Sequence, residues 1–243
     1  MSLLETRGVT VRFGGNVALD DVSVAFEPGE VTGLIGPNGA GKTTLFNVVT
    51  GMQPVASGSV RFQGRDVTRW SPGRRGRSGM ARTFQRLELF LSLSVRDNIR
   101  VAGDIVRANT RRRVDVARET ERVLDRTGLL DVAHLDVSAL PTGRARVVEV
   151  ARALMTDPAL LLLDEPASGQ TEAESESFAA LLREVAAEGT AVCLVEHDLP
   201  LVMQTCTTIH VLDHGSLIAS GSPAEVQASP AVIEAYIGQE ATA

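Results

Sequence analysis

The chain is poor in several things, and each shortage closes off a class of function. Only two cysteines occur, Cys193 and Cys206. Two cannot staple a small secreted scaffold, and they make no zinc pattern, so a reducing compartment is expected. Long apolar runs are missing as well. The longest, Ala159 to Leu163, falls far short of the ~20 residues that a membrane span requires. The opening M-S-L-L-E-T-R lacks the charged-then-apolar order of a secretory signal. Work at a membrane is therefore expected from the cytoplasmic side, through a partner. Tryptophan occurs once, and the net charge is −6, which argues against a general polyanion binder.

The sharpest scarcity is lysine. Lys42 is the only one in the chain, and the other basic residues are all arginine. Lys42 stands in G-P-N-G-A-G-K-T-T, which matches the phosphate-binding pattern G-x-x-x-x-G-K-[ST] at Gly36, Gly41, Lys42 and Thr43. An apolar run, Val31 to Ile35, precedes it as a buried strand should, and Thr44 to Val49 reads as a helix start. Glycines let backbone N–H groups curl around an anion, and the helix adds its positive dipole end. A compact ammonium fits inside such a nest, whereas a planar guanidinium does not. Gly36, Pro37, Asn38, Gly39, Ala40, Gly41, Lys42, Thr43 and Thr44 are thus expected to hold nucleotide phosphates, with the Thr43 hydroxyl on Mg²⁺.

With 243 residues, 44% hydrophobic and 22% charged, the chain has length and composition for a substantial soluble core. Val9 to Phe13 alternates like a half-buried strand, and Ala18 to Phe26 alternates again. Another strand is expected at Ser59 to Gln63, and a short one at Met80 to Phe84. The segment Arg69 to Arg86 carries six arginines (Arg69, Arg74, Arg75, Arg77, Arg82, Arg86), broken by Pro72 and glycines. A solvated face is the expectation there, ahead of a nucleic-acid surface. Helical spacing takes over from about Val95, with one helix over Arg111 to Gly128 and another through Val147, Val150, Ala151 and Leu154. Strand–helix alternation then returns: a strand to Leu163, a helix about Glu172 to Glu188, and strands at Thr190 to Val195, Thr208 to Leu212 and Leu217 to Ala219. Short helices follow Pro223 and Pro230.

The layout is α/β: a P-loop core of mostly parallel sheet with an N-terminal antiparallel part, plus an inserted all-helical subdomain. Residues 1–243 form a single ATPase domain in this reading. Residues 1–86 and 157–243 make the nucleotide-binding core, and residues 87–156 the helical part.

Three further residue groups complete the expected site. The strand Leu160 to Leu163 ends in Asp164-Glu165. In a P-loop protein the first acid holds Mg²⁺ through its water shell, and the second takes the proton of the attacking water. His197 follows the next strand, where ligands of open α/β sheets bind, and can touch the γ-phosphate. Gln85 follows the Met80 strand, where its amide can reach the metal and the water. His134, His210 and His214 are read as ordinary surface or core residues.

The assembled order, G-P-N-G-A-G-K-T-T, Gln85, a helical insert, L-L-L-L-D-E-P and E-H-D, resembles the ATP-binding subunits of ABC transporters. The resemblance covers essentially the whole chain from Phe13. Within that group, M-A-R-T-F-Q (Met80 to Gln85), V-E-H-D-L-P-L-V-M (Val195 to Met203) and V-I-E-A-Y-I-G (Val232 to Gly238) look like branched-chain amino-acid transporters. A related lipopolysaccharide-extracting ATPase has a similar tail. The resemblance implies that Phe13 stacks on adenine, that Thr43, Gln85 and Asp164 lie at Mg²⁺, that Glu165 is the general base, and that His197 senses the γ-phosphate. It also implies membrane-spanning permease subunits, contacted in part by Leu87 to Leu91, for which plain core packing is an equal alternative. Function follows as an ATPase subunit powering import of branched-chain or related amino acids. The alternatives are another ABC system, such as lipopolysaccharide export, and a binding-only regulatory subunit with weak hydrolysis.

Two stretches depart from the family. Where members carry an L-S-G-G-Q-like signature that caps the ATP of a second subunit, this chain reads Leu140-Pro141-Thr142-Gly143-Arg144. Pro141 brings neither a backbone N–H nor a serine hydroxyl. Where members have an S-G-L-D-like loop, this chain has Ser168-Gly169-Gln170-Thr171, without the aspartate that crosses the interface. Both lie on the surface offered to the partner's nucleotide. That asymmetry favours pairing with a different ATPase subunit over a homodimer.

Overall fold

A computed structural model of the chain describes residues 2–109 and 114–240, the last four of these by backbone alone. Two sheets form. The first is antiparallel and holds β1 (Leu4–Phe13), β2 (Asn16–Val22), β3 (Ala25–Phe26), β5 (Ser57–Phe62) and β6 (Arg65–Asp66), in the order β2-β1-β5-β6 with β3 also on β1. The second holds β4 (Val31–Ile35), β7 (Met80–Arg82), β8 (Leu160–Asp164), β9 (Ala191–Val195), β10 (Thr208–Asp213) and β11 (Ser216–Gly221), in the order β11-β10-β4-β9-β8-β7. Pairing is parallel from β10 to β7, and β11 adds an antiparallel edge. Every residue of β4, β8 and β9 is buried. Strands without a polar alternate position must be covered on both faces, which is the condition for a parallel sheet.

The helices α1 (Lys42–Thr50), α2 (Pro72–Arg77), α3 (Val95–Asn109), α4 (Val116–Arg126), α5 (Thr142–Leu154), α6 (Glu172–Ala187), α7 (Leu199–Thr205), α8 (Pro223–Gln227) and α9 (Pro230–Glu240) supply those covers. One apolar cluster joins α1 to the antiparallel sheet and one sheet face, through Leu45, Phe46, Leu162 and Cys193. A second packs α5, α6 and α7 on the other face, through Val150, Leu182 and Val202. A third lies among α3, α4 and α5, built on Ile99, Leu124 and Val148.

Several expectations shift for local reasons. The alternation from Ala18 to Phe26 breaks into β2 and β3. Asp21 adopts a left-handed φ of 53°, and Thr6 Oγ1 accepts from Val24 N across the gap. The expected helix from Arg111 begins at Val116, with the Asp115 carboxylate accepting from Arg118 N at 3.2 Å; Arg111 to Arg113 lie outside the described residues. Helix α5 begins at Thr142, earlier than its apolar spacing signals. Helix α7 was not anticipated, although Asp198 caps it by accepting from Leu201 N at 3.1 Å, and Pro200 fits its first turn.

The arginine-rich run is the plainest correction, because it is only partly a solvated face. Pro72 starts α2, and this helix turns Arg75 inward until 2% of it is exposed. Its guanidinium donates to Val48 O, Val49 O and Thr68 O at 2.6–2.9 Å, closing the last carbonyls of α1. Burial pushes Arg75 down to about 10, which leaves it charged at neutral pH. Arg75→Met, which strands these carbonyls, is expected to lower unfolding free energy by about 3 kcal/mol in urea titration.

His210 on β10 is buried between Ala25 O, at 3.1 Å from Nε2, and Ser220 Oγ, at 2.9 Å from Nδ1. A carbonyl only accepts, so Nε2 carries a proton. Burial holds its pKa below the ordinary value, against the pull of the Ala25 bond. The unfolded chain's ring protonates at about 6.5, and the folded one only at lower pH. Stability therefore falls as pH drops below that value, and levels off once the folded ring also protonates. His210→Gln is expected to flatten this part of the pH–stability curve, measured as urea midpoints between pH 8 and pH 5.

Candidate functional site

The carboxyl ends of β4, β8 and β9 lie side by side, and residues after β4 and β8, with Val195 at the end of β9, line one cleft of about 620 Å³. After β4 the chain makes the phosphate loop. Gly36 has φ 147°, and a Cβ there would sit 2.0 Å from Leu212 O. Gly41 has φ 104°, and its Cβ would press on Ala18 O at 2.8 Å. Only glycine allows this path between β10 and β2. Helix α1 then starts at Lys42, and Leu45 N donates to Gly41 O at 2.9 Å. The Lys42 ammonium folds back to donate to Gly36 O at 2.5 Å and Pro37 O at 2.9 Å. Burial lowers its pKa, while Glu165 and Asp164 hold it up.

Asn38, Gly39, Ala40, Gly41, Lys42, Thr43, Thr44, Gln85, Asp164 and Glu165 all line this cleft. The Gln85 amide donates to Glu165 Oε2 at 3.3 Å. Glu165 holds a left-handed φ of 48°, and its N–H donates to Val195 O at 2.9 Å. Strain of this kind in a bulky residue is concentrated at functional positions. Asp164 is 4% exposed, and burial pushes its carboxyl above the usual range, opposed by the Arg82 guanidinium at 3.0 Å.

Other expected residues lie apart. Phe13 ends β1 at 52% exposure, outside the cleft lining, and Asn16, Val17 and Ala18 of β2 form that wall instead. The His197 side chain is 72% exposed and also outside the lining; its backbone N–H donates to Glu196 Oε2 at 3.2 Å. Leu140 to Arg144 sit at the start of α5, away from this cleft. Gly143 packs so tightly on the 168–171 loop that a Cβ would lie 2.9 Å from Gly169 O. Arg144 turns from the helix start to donate to Asp131 Oδ1 at 2.6 Å.

Sequence reasoning missed four participants. His214, read as ordinary, stands with Gly215 in the turn after β10 and lines the cleft. Its only signal was the Asp213-His214-Gly215 turn. Glu196 is buried and accepts from Ala167 N at 2.8 Å, anchoring the loop that follows Glu165 to the end of β9. Burial raises its pKa, opposed by the Ala167 bond. On α5, Arg146 donates to Phe84 O at 2.9 Å, to Gln85 O, and to Glu149 Oε2 at 2.8 Å. Glu149 in turn accepts from Glu88 N at 2.7 Å. Helix α5 is thereby stitched to the segment that carries Gln85. Of the expected groove segment, Leu87 and Leu89 pack on the helical cluster, whereas Phe90 and Leu91 are 47% and 54% exposed.

Arg146→Met is expected to loosen residues 84–88 without disturbing the phosphate loop. Loss of about 2 kcal/mol of charge-assisted hydrogen bonding corresponds to roughly 30-fold faster amide exchange at Glu88, read by hydrogen–deuterium exchange.

Residues 19–168 match the ABC transporter family, and residues 216–242 match the branched-chain amino acid ATP-binding cassette transporter family. The high-affinity branched-chain amino acid transport ATP-binding protein BraF of Pseudomonas aeruginosa is 35% identical, over 98% of each chain. LivG of Escherichia coli K12, described in the same words, is also 35% identical over 98% of each. Among solved structures, a nucleotide-free ATP-binding cassette from an ABC transporter superposes with a TM-score of 0.88 at 29% identity, covering 98% of this chain and 100% of that one. A cassette in its ADP conformation gives 0.87 at 30%, covering 98% and 99%. A phosphate loop, a helical insert and two strand-end carboxylates in this order, matched over nearly the full length, make this chain an ATP-hydrolysing, ATP-binding subunit of the ABC transporter family.

Proposed function

We propose that this subunit powers uptake of branched-chain or related amino acids, the solute class for which BraF and LivG are named. Among the described residues no helix is long and apolar enough to cross a membrane. In this proposal the permease partners that an ABC ATPase drives are separate chains, and the subunit meets them on the cytoplasmic face. A second cleft, about 580 Å³ between β7, α3 and α5, opens beside Phe84 and Glu88 and suits a docking helix of such a partner. The core of 1–86 and 157–243 would then transmit motion through the helical part, 87–156.

The observation that carries the catalytic reading is the convergence of Lys42, Thr43, Gln85, Asp164 and Glu165 on one cleft. Gly36 to Thr44 cradle the phosphates, and Lys42 exchanges its two carbonyl partners for phosphate oxygens. Thr43, Asp164 and Gln85 are hard oxygen donors of the kind that hold Mg²⁺ jointly with phosphates and water. When bound, Mg²⁺ would supply charge neutralisation at the transferred group. Glu165, already bonded to Gln85, takes the proton of the attacking water. His197 sits one residue past buried Glu196, where closure of a dimer brings it to the γ-phosphate, and Phe13 offers an exposed ring to the adenine.

The altered surfaces support a pairing with a different ATPase subunit. Helix α5 retains its amide-bearing N-terminus and Gly143, but Pro141 and the Asp131-bound Arg144 replace the serine and glutamine that would face a partner's ATP. With the intact complex, Glu165→Gln is expected to lower ATP turnover by at least ~100-fold while ATP still binds. The same variant alone, given Mg-ATP, is expected to stay monomeric by light scattering. A stable ATP-dependent homodimer would reject the asymmetric pairing, and undiminished turnover would reject Glu165 as the base.

A further inference from the structure

Arg82 is the last residue of β7, and its charge faces inward. Its side chain is 6% exposed, and that of Asp164 is 5% exposed. The two nitrogens of its guanidinium fork reach different elements. Nη2 donates to Asp164 Oδ2 at 3.0 Å, and Nη1 donates to Asn47 Oδ1 at 2.6 Å. Asn47 lies on α1, the helix that begins at Lys42 and Thr43. The guanidinium also lies over the Phe46 ring at 5.4 Å and the Phe84 ring at 4.9 Å. Thr83, the next residue, has its hydroxyl 3.2 Å from Asp164 N and accepts that bond.

We propose that Arg82 is a positioning residue for the metal: it holds the Asp164 carboxylate in one orientation relative to α1, so that Thr43 and Asp164 meet Mg-ATP as a preset pair. This inference rests on the assignment of Asp164 and Thr43 to Mg²⁺. With Oδ2 engaged by Arg82, Oδ1 is the oxygen left for the metal's water shell. A single planar group bonded to both elements sets their relative position, which two separate contacts would not do. A lysine at this place reaches one acceptor or the other, because an ammonium is a point donor without the fork. Contact with the Phe46 and Phe84 rings further restrains the guanidinium. Arg82 is not among the residues that line the phosphate cleft, so its effect on the site passes through Asp164 and α1.

Supporting residues behind a metal ligand typically change metal affinity by 10–100-fold when lost. The test is binding of ATP to the full chain by isothermal titration calorimetry, in EDTA and across a Mg²⁺ series, with Asp164→Asn as reference. Wild-type ATP affinity is expected to rise with Mg²⁺, and Asp164→Asn to abolish most of that rise. Arg82→Met is expected to bind ATP in EDTA within about twofold of wild type, but to need roughly tenfold more Mg²⁺ for half the enhancement. Arg82→Lys is expected to fall between the two. It carries the test by itself if the methionine variant does not fold, and a Mg²⁺ requirement equal to wild type in either folded variant overturns the proposal. Equal loss of binding in EDTA and in Mg²⁺ also overturns it, because that is the mark of a merely structural residue. If Asp164→Asn keeps the full Mg²⁺ enhancement, the metal assignment itself fails and the Arg82 inference falls with it.

Discussion

Strands β4, β8 and β9 are covered on both faces, so a charged side chain within them would lose its hydration without recompense. Polar chemistry is confined to their ends. Because the three run parallel and adjacent, those ends coincide in space, and whatever follows each strand in sequence meets the others. The phosphate loop, the Asp164-Glu165 pair and the Glu196-His197 pair are neighbours for this reason, although they lie far apart along the chain.

Converging charges still have to be held apart and aimed. Two carboxylates and an ammonium share the cleft, and each is tied from behind by a different element. Lys42 rests on the carbonyls of its own loop. Asp164 is held by Arg82 from β7, and Glu165 by the Val195 carbonyl and the Gln85 amide. Buried Glu196 fastens the loop beyond them. The outer support comes from α5, whose Arg146 and Glu149 grip the backbone of residues 84–88. The helix that begins with the altered signature is thus mechanically joined to the residue that reaches Glu165.

Much of this was legible in the residues. The P-loop declares itself because glycine spacing, a preceding apolar run and a solitary lysine are all local features. Asp164 and Glu165 are legible for the same reason: L-L-L-L-D-E is a buried strand and its polar end in six letters. Helix α6 follows from Thr171 and Glu174, whose reciprocal cap the structure shows in full. The arginine run was misread because local composition cannot say which of six like charges will be folded under. Arg75 is buried by the placement of α2 against the end of α1, a contact between segments that are remote in sequence. His214 escaped notice because no motif surrounds it; the β10–β11 turn simply happens to overhang the phosphate loop.

The sequence by itself determined the fold class, the nucleotide loop, the paired acids and the departures at Pro141 and Thr171. Each is written in consecutive residues whose local propensities and chemistry agree. The tertiary structure decided which charges are buried, which side chains face the cleft, and how the ends of three strands are braced. Those outcomes depend on distances between elements tens of residues apart, set by packing both faces of one sheet. Arg82 shows the division well. In sequence it is one arginine among many, and its position between Asn47 and Asp164 exists only once β7, α1 and β8 are packed together.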